Sequence, residues 1–396
     1  MEYYTTNGES FVKDYIIIGC GFAGAVAARQ LAQKGKKVLI VEQRNHIGGN
    51  AYDELDEHGI LVHKYGPHIF HTEKKEVFEY LSKYTEWYDY SHEVVGKVGD
   101  KLLPIPFNLN TLDLVYGEEK ANKLRELLEA EYGTEVKVPI LELRKHSRPE
   151  IQELAEYVYQ NVFLKYTMKQ WGKTPEEIDP AVSGRVPVFL SRDNRYFQDT
   201  WQGMPKEGFT PLFEKLLDHS GIEVRLSCPA ASVLSFDKEL GKVYFEGSEY
   251  TGTIIYTGAI DELFDCCYGR LPYRSLDFVF EYHTEEFYQS HGVVNYTVSE
   301  DYTRITEFKR LTGQSCKGTT IIKEYPRAYT GAEGQIPYYA IQNAENQALY
   351  EKYCELAARF PRMYMLGRLA EYKYYNIDAM VAQALKVVEQ ICEEEA

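Results

Sequence analysis

The sequence lacks several features that would place it in a common class of protein. It contains no apolar run long enough to cross a membrane, and no apolar signal-peptide segment near its N-terminus. Its seven cysteines form no CxxC pair and show no Cys/His spacing typical of a metal site. These absences predict a cytoplasmic protein in a reducing compartment, with no membrane insertion and no bound metal.

Positive charge is also scarce. The 396 residues include 44 Lys and Arg against 60 Asp and Glu, a formal net charge of −16. Such a balance argues against nucleic acid and anionic membranes as partners. An anionic substrate would need a few local arginines, because the protein as a whole repels it. Tyrosine is abundant, by contrast: the chain has 34, and phenol groups suit sugars and nucleobases.

The strongest motif lies near the N-terminus. An apolar strand predicted at Tyr15–Ile18 leads into the spacing GxGxxG, an Ala-rich helix and a second strand at Val38–Val41. Gly19 permits the tight turn, Gly21 lets the backbone approach a pyrophosphate, and Gly24 lets the helix pack closely on the sheet. The pattern predicts a dinucleotide-binding βαβ unit; the alternative is an ordinary strand-to-helix turn.

The choice of cofactor depends on the residues at and after the end of the second strand. Glu42 ends that strand, where a carboxylate would accept hydrogen bonds from a ribose. The basic, glycine-rich segment RNHIGGN comes next and favours FAD over a nicotinamide cofactor. The predicted cofactor-binding residues of this region are Gly19, Gly21, Phe22, Ala23, Gly24, Glu42, Gln43, Arg44, Gly49 and Asn50.

Two later segments have a chemical interpretation. HKYGPHIFHT carries His63, His68 and His71, but no cysteine or carboxylate completes a metal set. A loop passing close to a flat ring system is therefore favoured over a metal site.

Residues 174–200 are rich in proline and carry several arginines and aromatic side chains. They favour a lid over a phosphorylated ligand; the alternative is a solvated loop whose arginines pair with local acids.

The remaining chain completes the fold prediction. Helical periodicity over 112–171 predicts a helical insertion, and alternating stretches within 276–341 predict β-structure. The strand in TIIYTGA and the final strand and helix predict a return to the nucleotide-binding sheet. We therefore predict an α/β fold, α+β overall, with a discontinuous Rossmann-type FAD-binding domain, an inserted helical domain and an antiparallel β-sheet domain. The predicted boundaries are 1–85, 206–265 and 355–396 for the FAD-binding domain, 108–172 for the helical domain, and 86–107, 173–205 and 266–354 for the sheet domain with its mobile lid loop.

Taken together, these motifs resemble one enzyme family. The stretches GCGFAGAV, RNHIGGNAYD, KYGPHIFHT, KYTMKQWG, RYFQD, YTRITE, KEYPRA, IPYY and GRLAEYKYYN are similar to those of bacterial UDP-galactopyranose mutases. The resemblance extends from about residue 15 to residue 391. It implies a homodimeric FAD-dependent isomerase, an intramolecular transferase that interconverts UDP-galactopyranose and UDP-galactofuranose, and a cellular flavin reductant of unknown identity.

The resemblance also implies roles for individual residues. Tyr166 would stack on the uracil beside Trp171 at the mobile loop, and Asn295 would face the sugar. Arg185 and Arg304 would hold the diphosphate. The implied catalytic residues are Arg185, Arg304, His71 and Tyr374. The implied substrate-binding residues are Tyr166, Trp171, Arg185, Tyr196, Asn295, Arg304, Tyr339 and Tyr374. The further cofactor-binding residues are His68, Ile69, Arg368, Tyr375, Asn376 and Ile377.

The sequence departs from the family at two positions. Asn376 stands where the family often has Asp, and Phe189 stands where it often has a second arginine. If the phosphate clamp lies elsewhere, Arg192 and Arg195 are the next candidates.

The predicted chemistry agrees with what the chain lacks. No Ser/His/Asp or Cys/His set is recognisable, nor a carboxylate pair for glycoside chemistry. The difficult step then belongs to the cofactor: N5 of reduced FAD would attack the anomeric carbon and form a covalent sugar adduct, without net redox change. Two alternatives stay open, a flavin-dependent oxidoreductase of the amine oxidase-like fold and a nucleotide-binding protein without activity. Arginines and tyrosines suited to a diphosphate favour the mutase.

Overall fold

A computed structural model describes residues 14–174, 187–298 and 300–395 of the chain. The helices are α1 Phe22–Gln33, α2 Lys75–Leu81, α3 Leu109–Tyr116, α4 Glu118–Tyr132, α5 Ile140–Leu143, α6 Pro149–Val158, α7 Lys165–Trp171, α8 Phe209–Leu217, α9 Ala230–Val233, α10 Ile260–Leu263, α11 Phe308–Thr312, α12 Ala344–Ala357 and α13 Ile377–Glu394. The strands are β1 Tyr15–Ile18, β2 Val38–Val41, β3 Asp53–Leu55, β4 Leu61–His63, β5 Phe70–Thr72, β6 Trp87–Tyr88, β7 Val94–Val98, β8 Lys101–Ile105, β9 Phe107–Asn108, β10 Lys137–Pro139, β11 Pro187–Phe189, β12 Trp201–Pro205, β13 Ile222–Arg225, β14 Leu234–Asp237, β15 Lys242–Phe245, β16 Ser248–Tyr250, β17 Thr253–Tyr256, β18 Tyr273–His283, β19 Val293–Tyr296, β20 Arg304–Glu307, β21 Thr319–Ala328, β22 Tyr339–Ala340 and β23 Met363–Met365.

The glycine-rich motif lies in a five-stranded parallel sheet of order β13-β2-β1-β17-β23. Every residue of β1, β2 and β17 is buried. Such burial is typical of parallel strands covered by helices on both faces, which explains their continuous apolar sequences. The strands predicted at the N-terminus and the predicted return of the chain to this sheet are confirmed.

The turn between β1 and α1 is as tight as its glycines predict. Gly19 has φ of +100°, and a Cβ there would lie 2.1 Å from Thr257 Oγ1. A Cβ on Gly24 would lie 2.0 Å from the carbonyl oxygen of Gly19. Helix α1 therefore packs on the sheet at a distance that only glycine allows, and α13 packs beside it in the same apolar cluster.

A seven-stranded sheet, of order β22-β18-β21-β20-β19-β7-β8, forms the second large layer. It is antiparallel except for the parallel pair of β19 and β7. Its register places Asn295 opposite Arg304, and Arg304 opposite Glu324. Directly opposed residues share one face of an antiparallel sheet, so these three side chains lie side by side.

The helical region contains the predicted amphipathic face. Helix α6 continues through a π-helical segment, Tyr159–Leu164, into α7, and this helical run ends at Gly172 in the left-handed conformation. Pro149 occupies the first turn, where its fixed φ suits the start of a helix. The apolar positions that recur with helical spacing along this run are all buried: Ile151, Leu154, Ala155, Val158, Val162 and Phe163.

The strand pairing differs from the prediction for residues 173–205. Strand β11 pairs with β9 and β10, next to the helical region, and β12 pairs with β5 and β6. Neither strand belongs to the seven-stranded sheet, because strand partners are chosen by long-range packing that short apolar runs do not reveal. The central part of the predicted lid, residues 175–186 with Arg185, lies outside the described residues. Within the described ranges, no helix is both long and apolar enough to span a membrane.

Gly24→Ala tests the close contact between α1 and the sheet. We expect the added Cβ to push α1 away from Gly19, destabilise the protein by about 1–3 kcal/mol and lower flavin content. Gly35→Ala is the matched control, because its Cβ would meet nothing within 4 Å although φ is +80°. Thermal unfolding and absorbance at the flavin band measure both effects. If Gly24→Ala lost no more stability and no more flavin than Gly35→Ala, the close contact between α1 and Gly19 would not be important.

Candidate functional site

A cavity of about 220 Å³ lies where the loops after β2 and β4 meet the seven-stranded sheet and the N-terminus of α13. The predicted site residues that line it are Asn50, His68, Ile69, His71, Tyr166, Tyr196, Asn295, Arg304, Tyr339, Arg368, Tyr374, Tyr375, Asn376 and Ile377. The lining residues that the sequence did not single out as a site are Tyr65, Pro67, His92, Val94, Phe197, Leu276, Val293 and Tyr338.

Arg304 is the cation of this cavity best placed for an anion. Its Nε donates to Oε1 of Glu324 at 2.6 Å, and the carboxylate is buried. The two terminal nitrogens make no hydrogen bond to the described residues, so they are left for a ligand. Burial by itself lowers the pKa of the Arg304 guanidinium, but Glu324, Tyr339 and Tyr166 raise it above its ordinary value. The side chain therefore stays a fixed cation.

Aromatic rings surround this cation. Burial raises the pKa of Tyr166 and of Tyr339, so both phenols stay neutral hydrogen-bond donors. The rings of Tyr339 and Tyr374 are nearly parallel, with centroids 6.4 Å apart. Trp171 does not line the cavity, but its ring lies 5.8 Å from that of Tyr339. The guanidinium of Arg368 lies 4.7 Å from the centre of the Tyr374 ring.

Several histidines of the site are uncharged. Burial lowers the pKa of His63 to about 4 and the pKa values of His68 and His92 to about 3. His63 Nδ1 accepts a hydrogen bond from the His68 main chain at 3.0 Å. His71 lies beside an acidic residue: its Nδ1 lies 2.9 Å from Asp199 Oδ2, and its ring stacks on Phe197 at 3.5 Å. The described residues contain no group of His, Cys, Asp and Glu arranged to hold a metal.

The glycine-rich end has room and hydrogen-bonding groups for a dinucleotide. A Cβ on Gly49 would lie 2.9 Å from the Cα of Gly21, so two glycine turns meet there. Glu42 is buried and accepts from the main-chain N–H groups of Cys20 and Arg44 at 2.8 and 2.9 Å. The carboxylate is thereby oriented, and a ribose would use its remaining lone pairs.

Arg44 links this end to the cavity. Its Nη2 donates to Asn50 at 2.8 Å, its guanidinium lies over the Tyr65 ring, and its Nη1 is buried without a hydrogen-bond partner. An unpartnered buried donor is costly and is expected where a ligand completes the site. These residues fit the polar part of FAD.

Three residues singled out from the sequence do not line the cavity. The Phe22 ring packs on Phe209 and Phe213 in the core, and the Gln43 side chain is exposed. Their contact with the cofactor stays a prediction. Phe189 is a buried core residue of β11.

Arg192 and Arg195, the next candidates for the phosphate clamp, form ion pairs outside the cavity. Arg192 pairs with Asp113, and Arg195 pairs with Asp193, each at 2.8 Å. Neither lines the cavity, so the solvated-loop interpretation holds for these two.

The residues missed by the sequence analysis fall into three classes. Tyr65 and Pro67 belong to the motif KYGPHIFHT, which was a usable signal. Val94 and Val293 are ordinary apolar strand residues that carry no chemical signal. Glu324 was missed because only the β20–β21 register brings it to Arg304.

Comparison with known proteins identifies the family. The model of the UDP-galactopyranose mutase family matches residues 161–374, and a model of NAD(P)-binding Rossmann-like domains matches residues 17–84. UDP-galactopyranose mutase of Mycoplasma pneumoniae is 36% identical over 385 residues, covering 96% of each chain. The chain belongs to the UDP-galactopyranose mutase family.

Other relatives agree with this family assignment. The dTDP-fucopyranose mutase of Escherichia coli is 35% identical over 94% of this chain and 96% of its own. A crystal structure of reduced UDP-galactopyranose mutase has the same fold, with a TM-score of 0.70 and 16% identity, covering 96% of this chain and 94% of that one. The protein is thus a Rossmann-type flavoprotein of an isomerase family.

The buried neutral histidines predict acid sensitivity. Because the folded-state pKa of His63 is lowered, the unfolded chain binds its proton first, and stability falls as the pH drops from about 6.5 to about 4. His63→Asn should reduce this slope by up to about 1.4 kcal/mol per pH unit. Urea unfolding at several pH values measures it.

His58→Asn is the control for this experiment, since it removes a histidine at the surface and not one in the core. A His63→Asn slope equal to that of the wild type would contradict a neutral, buried His63.

Proposed function

We propose that the protein interconverts UDP-galactopyranose and UDP-galactofuranose with reduced FAD and without net oxidation of the sugar. The observation that carries this proposal is Arg304, a fixed cation whose terminal nitrogens are open to a cavity lined by tyrosines. A diphosphate needs such a cation, and a sugar or nucleobase suits the rings and hydroxyls around it. The family assignment supports the same substrate class.

The residues that would hold FAD are those at the glycine-rich end. Gly21 and Gly49 would admit the pyrophosphate at the N-terminus of α1, Glu42 would accept from the ribose, and Arg44 would donate its unpartnered Nη1. The N-terminus of α13, which begins after Asn376, would face a second polar part of the cofactor. Reduced flavin, when bound, supplies a nucleophilic nitrogen for the anomeric carbon.

The chain's own groups would bind the substrate and stabilise charge. Arg304 would stabilise the negative charge that grows on the diphosphate as it leaves the sugar, an interaction stronger in the transition state than before it. Tyr339 and Tyr374 would donate to the same phosphates. Tyr166 would stack on the base, and Asn295 would bind sugar hydroxyls. Arg185 remains a predicted second arginine of the clamp.

Two finer parts of the proposal concern partners and nucleotide choice. The family resemblance supports a homodimer and a cellular reductant for the flavin. Full-length similarity to a dTDP-fucopyranose mutase makes dTDP-sugars the second substrate class to assay. An amine oxidase-like oxidoreductase is not favoured, since mutases match 94–96% of the chain at 35–36% sequence identity.

The redox requirement tests the proposed mechanism. Purified protein should isomerise UDP-galactofuranose only after the flavin is reduced, and it should consume no reductant per turnover. Anaerobic chromatography of the nucleotide sugars, with titration of the remaining reductant, measures both. Protein reconstituted with a flavin analogue that has carbon at position 5 is the control and should be inactive. Activity with that analogue, or with oxidised FAD, would exclude the nucleophile mechanism.

Arg304→Lys tests the phosphate clamp. It keeps a cation beside Glu324, so the protein should fold, but it removes the planar guanidinium fork. We expect UDP affinity to fall by about 1.5–3 kcal/mol and kcat to fall further, because the contact strengthens in the transition state. Isothermal titration and steady-state rates separate the two effects.

Arg192→Lys is the matched control for the clamp, since Arg192 pairs with Asp113 away from the cavity. Unchanged kinetics are expected there. If Arg304→Lys also kept wild-type affinity and kcat, the diphosphate would have to bind elsewhere.

A further inference from the structure

Lys169 joins two elements of the candidate site without facing the cavity. It lies in α7, three residues after Tyr166 and two before Trp171. Its Nζ donates to the main-chain carbonyls of Glu300 and Tyr302 at 3.0 and 3.2 Å, and also to that of Tyr296. All three N–H groups of the ammonium are therefore used by one neighbouring segment.

That segment is the β19–β20 hairpin, residues 293–307, which carries the opposite wall of the site. Asn295 and Arg304 face each other across its two strands. The Tyr296 main chain also bonds to Thr303 at 2.8 Å, so the base of the loop is closed. A movement of the hairpin relative to α7 would break the Lys169 contacts and change the separation between Tyr166 and Arg304.

We propose that Lys169 is a positioning residue that sets the distance between the nucleobase-binding helix and the phosphate-binding hairpin, and so matches the site to a nucleoside diphosphate. The proposal rests on the function proposed above, in which Tyr166 receives the base and Arg304 the diphosphate. A ligand that contacts both elements binds more tightly when their separation is correct, whereas the affinity of a ligand that contacts only one element does not depend on it.

The cost of this arrangement argues that it has a purpose beyond packing. Burial lowers the pKa of the Lys169 ammonium more than the nearby carboxylates of Glu300 and Asp301 raise it, and its hydrogen-bond partners are neutral carbonyls. A long apolar side chain would fill the same space without desolvating a charge. The ammonium adds directional contacts, because its three N–H donors fix α7 to three main-chain carbonyls of the hairpin loop.

The chain contains a matched control at Lys309. Its Nζ also donates to three main-chain carbonyls, those of Glu286, Cys316 and Gly318, at 2.8 to 3.0 Å. Lys309 is buried but does not line the cavity and joins no two elements that carry proposed ligand contacts. Replacing either lysine by methionine removes an ammonium group that donates to three main-chain carbonyls. A difference in UDP binding between the two variants therefore reflects where the lysine lies, and not the loss of these groups as such.

The Lys169→Met protein should still fold. Arg274 holds the end of α7 independently, donating to the main-chain carbonyls of Gln170 and Lys169 at 2.8 and 3.1 Å. The effect of the substitution should then be a loosened separation of the two walls and not loss of the helix. Flavin content and thermal unfolding of each purified variant check this.

The deciding experiment compares the affinity of the flavin-loaded protein for UDP, uridine and pyrophosphate. Lys169→Met should weaken UDP binding at least tenfold and change the uridine and pyrophosphate affinities less than twofold. Lys169→Arg should recover part of the UDP affinity, and Lys309→Met should bind UDP as the wild type does. Equal weakening for all three ligands, or wild-type UDP affinity in Lys169→Met, would overturn the proposal. If the wild type itself bound no UDP, the proposed function would fail instead.

Discussion

The candidate site depends on one ion pair, between Arg304 and Glu324. The Glu324 carboxylate is almost fully buried and accepts a hydrogen bond from Nε of Arg304 at 2.6 Å. This contact fixes the plane of the guanidinium and leaves its terminal nitrogens directed toward the cavity. The Glu324 carboxylate would not be tolerated there alone, because an isolated buried charge is expensive. The pair in turn depends on the register of β20 and β21, so the packing of the seven-stranded sheet determines where an anion can bind.

Because the chain is strongly acidic, the Arg304–Glu324 pair also matters for attracting an anionic ligand. With a net charge of −16, the protein repels anions at long range, and attraction must come from a few positions. Among the described residues, Arg304 and Arg368 are the cations that line the cavity, and Arg44 lies at the glycine-rich end, each beside tyrosine rings. Neutral phenols let a ligand bind through hydrogen bonds and ring faces without adding repulsion. Such a lining favours ligands that combine a phosphate with flat or hydroxylated groups.

Local sequence patterns predicted the parts of the fold that depend on interactions between residues close in the chain. Gly19 and Gly24 marked the turn, because only glycine fits the contacts that the structure shows there. The apolar face of the helical run that ends with α7 followed from its spacing. The position of Glu324 beside Arg304, and of Lys169 beside the β19–β20 hairpin, could not be predicted, since each contact joins segments far apart in the chain. For the same reason Arg192 looked available, although Asp113 holds it. Arg195 is different, because its partner Asp193 lies only two residues away and the sequence itself shows this local acid.

A crystal structure of the reduced protein with UDP bound would test the central claim most directly. The account predicts that diphosphate oxygens lie within hydrogen-bonding distance of the terminal nitrogens of Arg304, with the uracil ring on Tyr166. UDP bound outside this cavity, or bound with its phosphates away from Arg304, would contradict it.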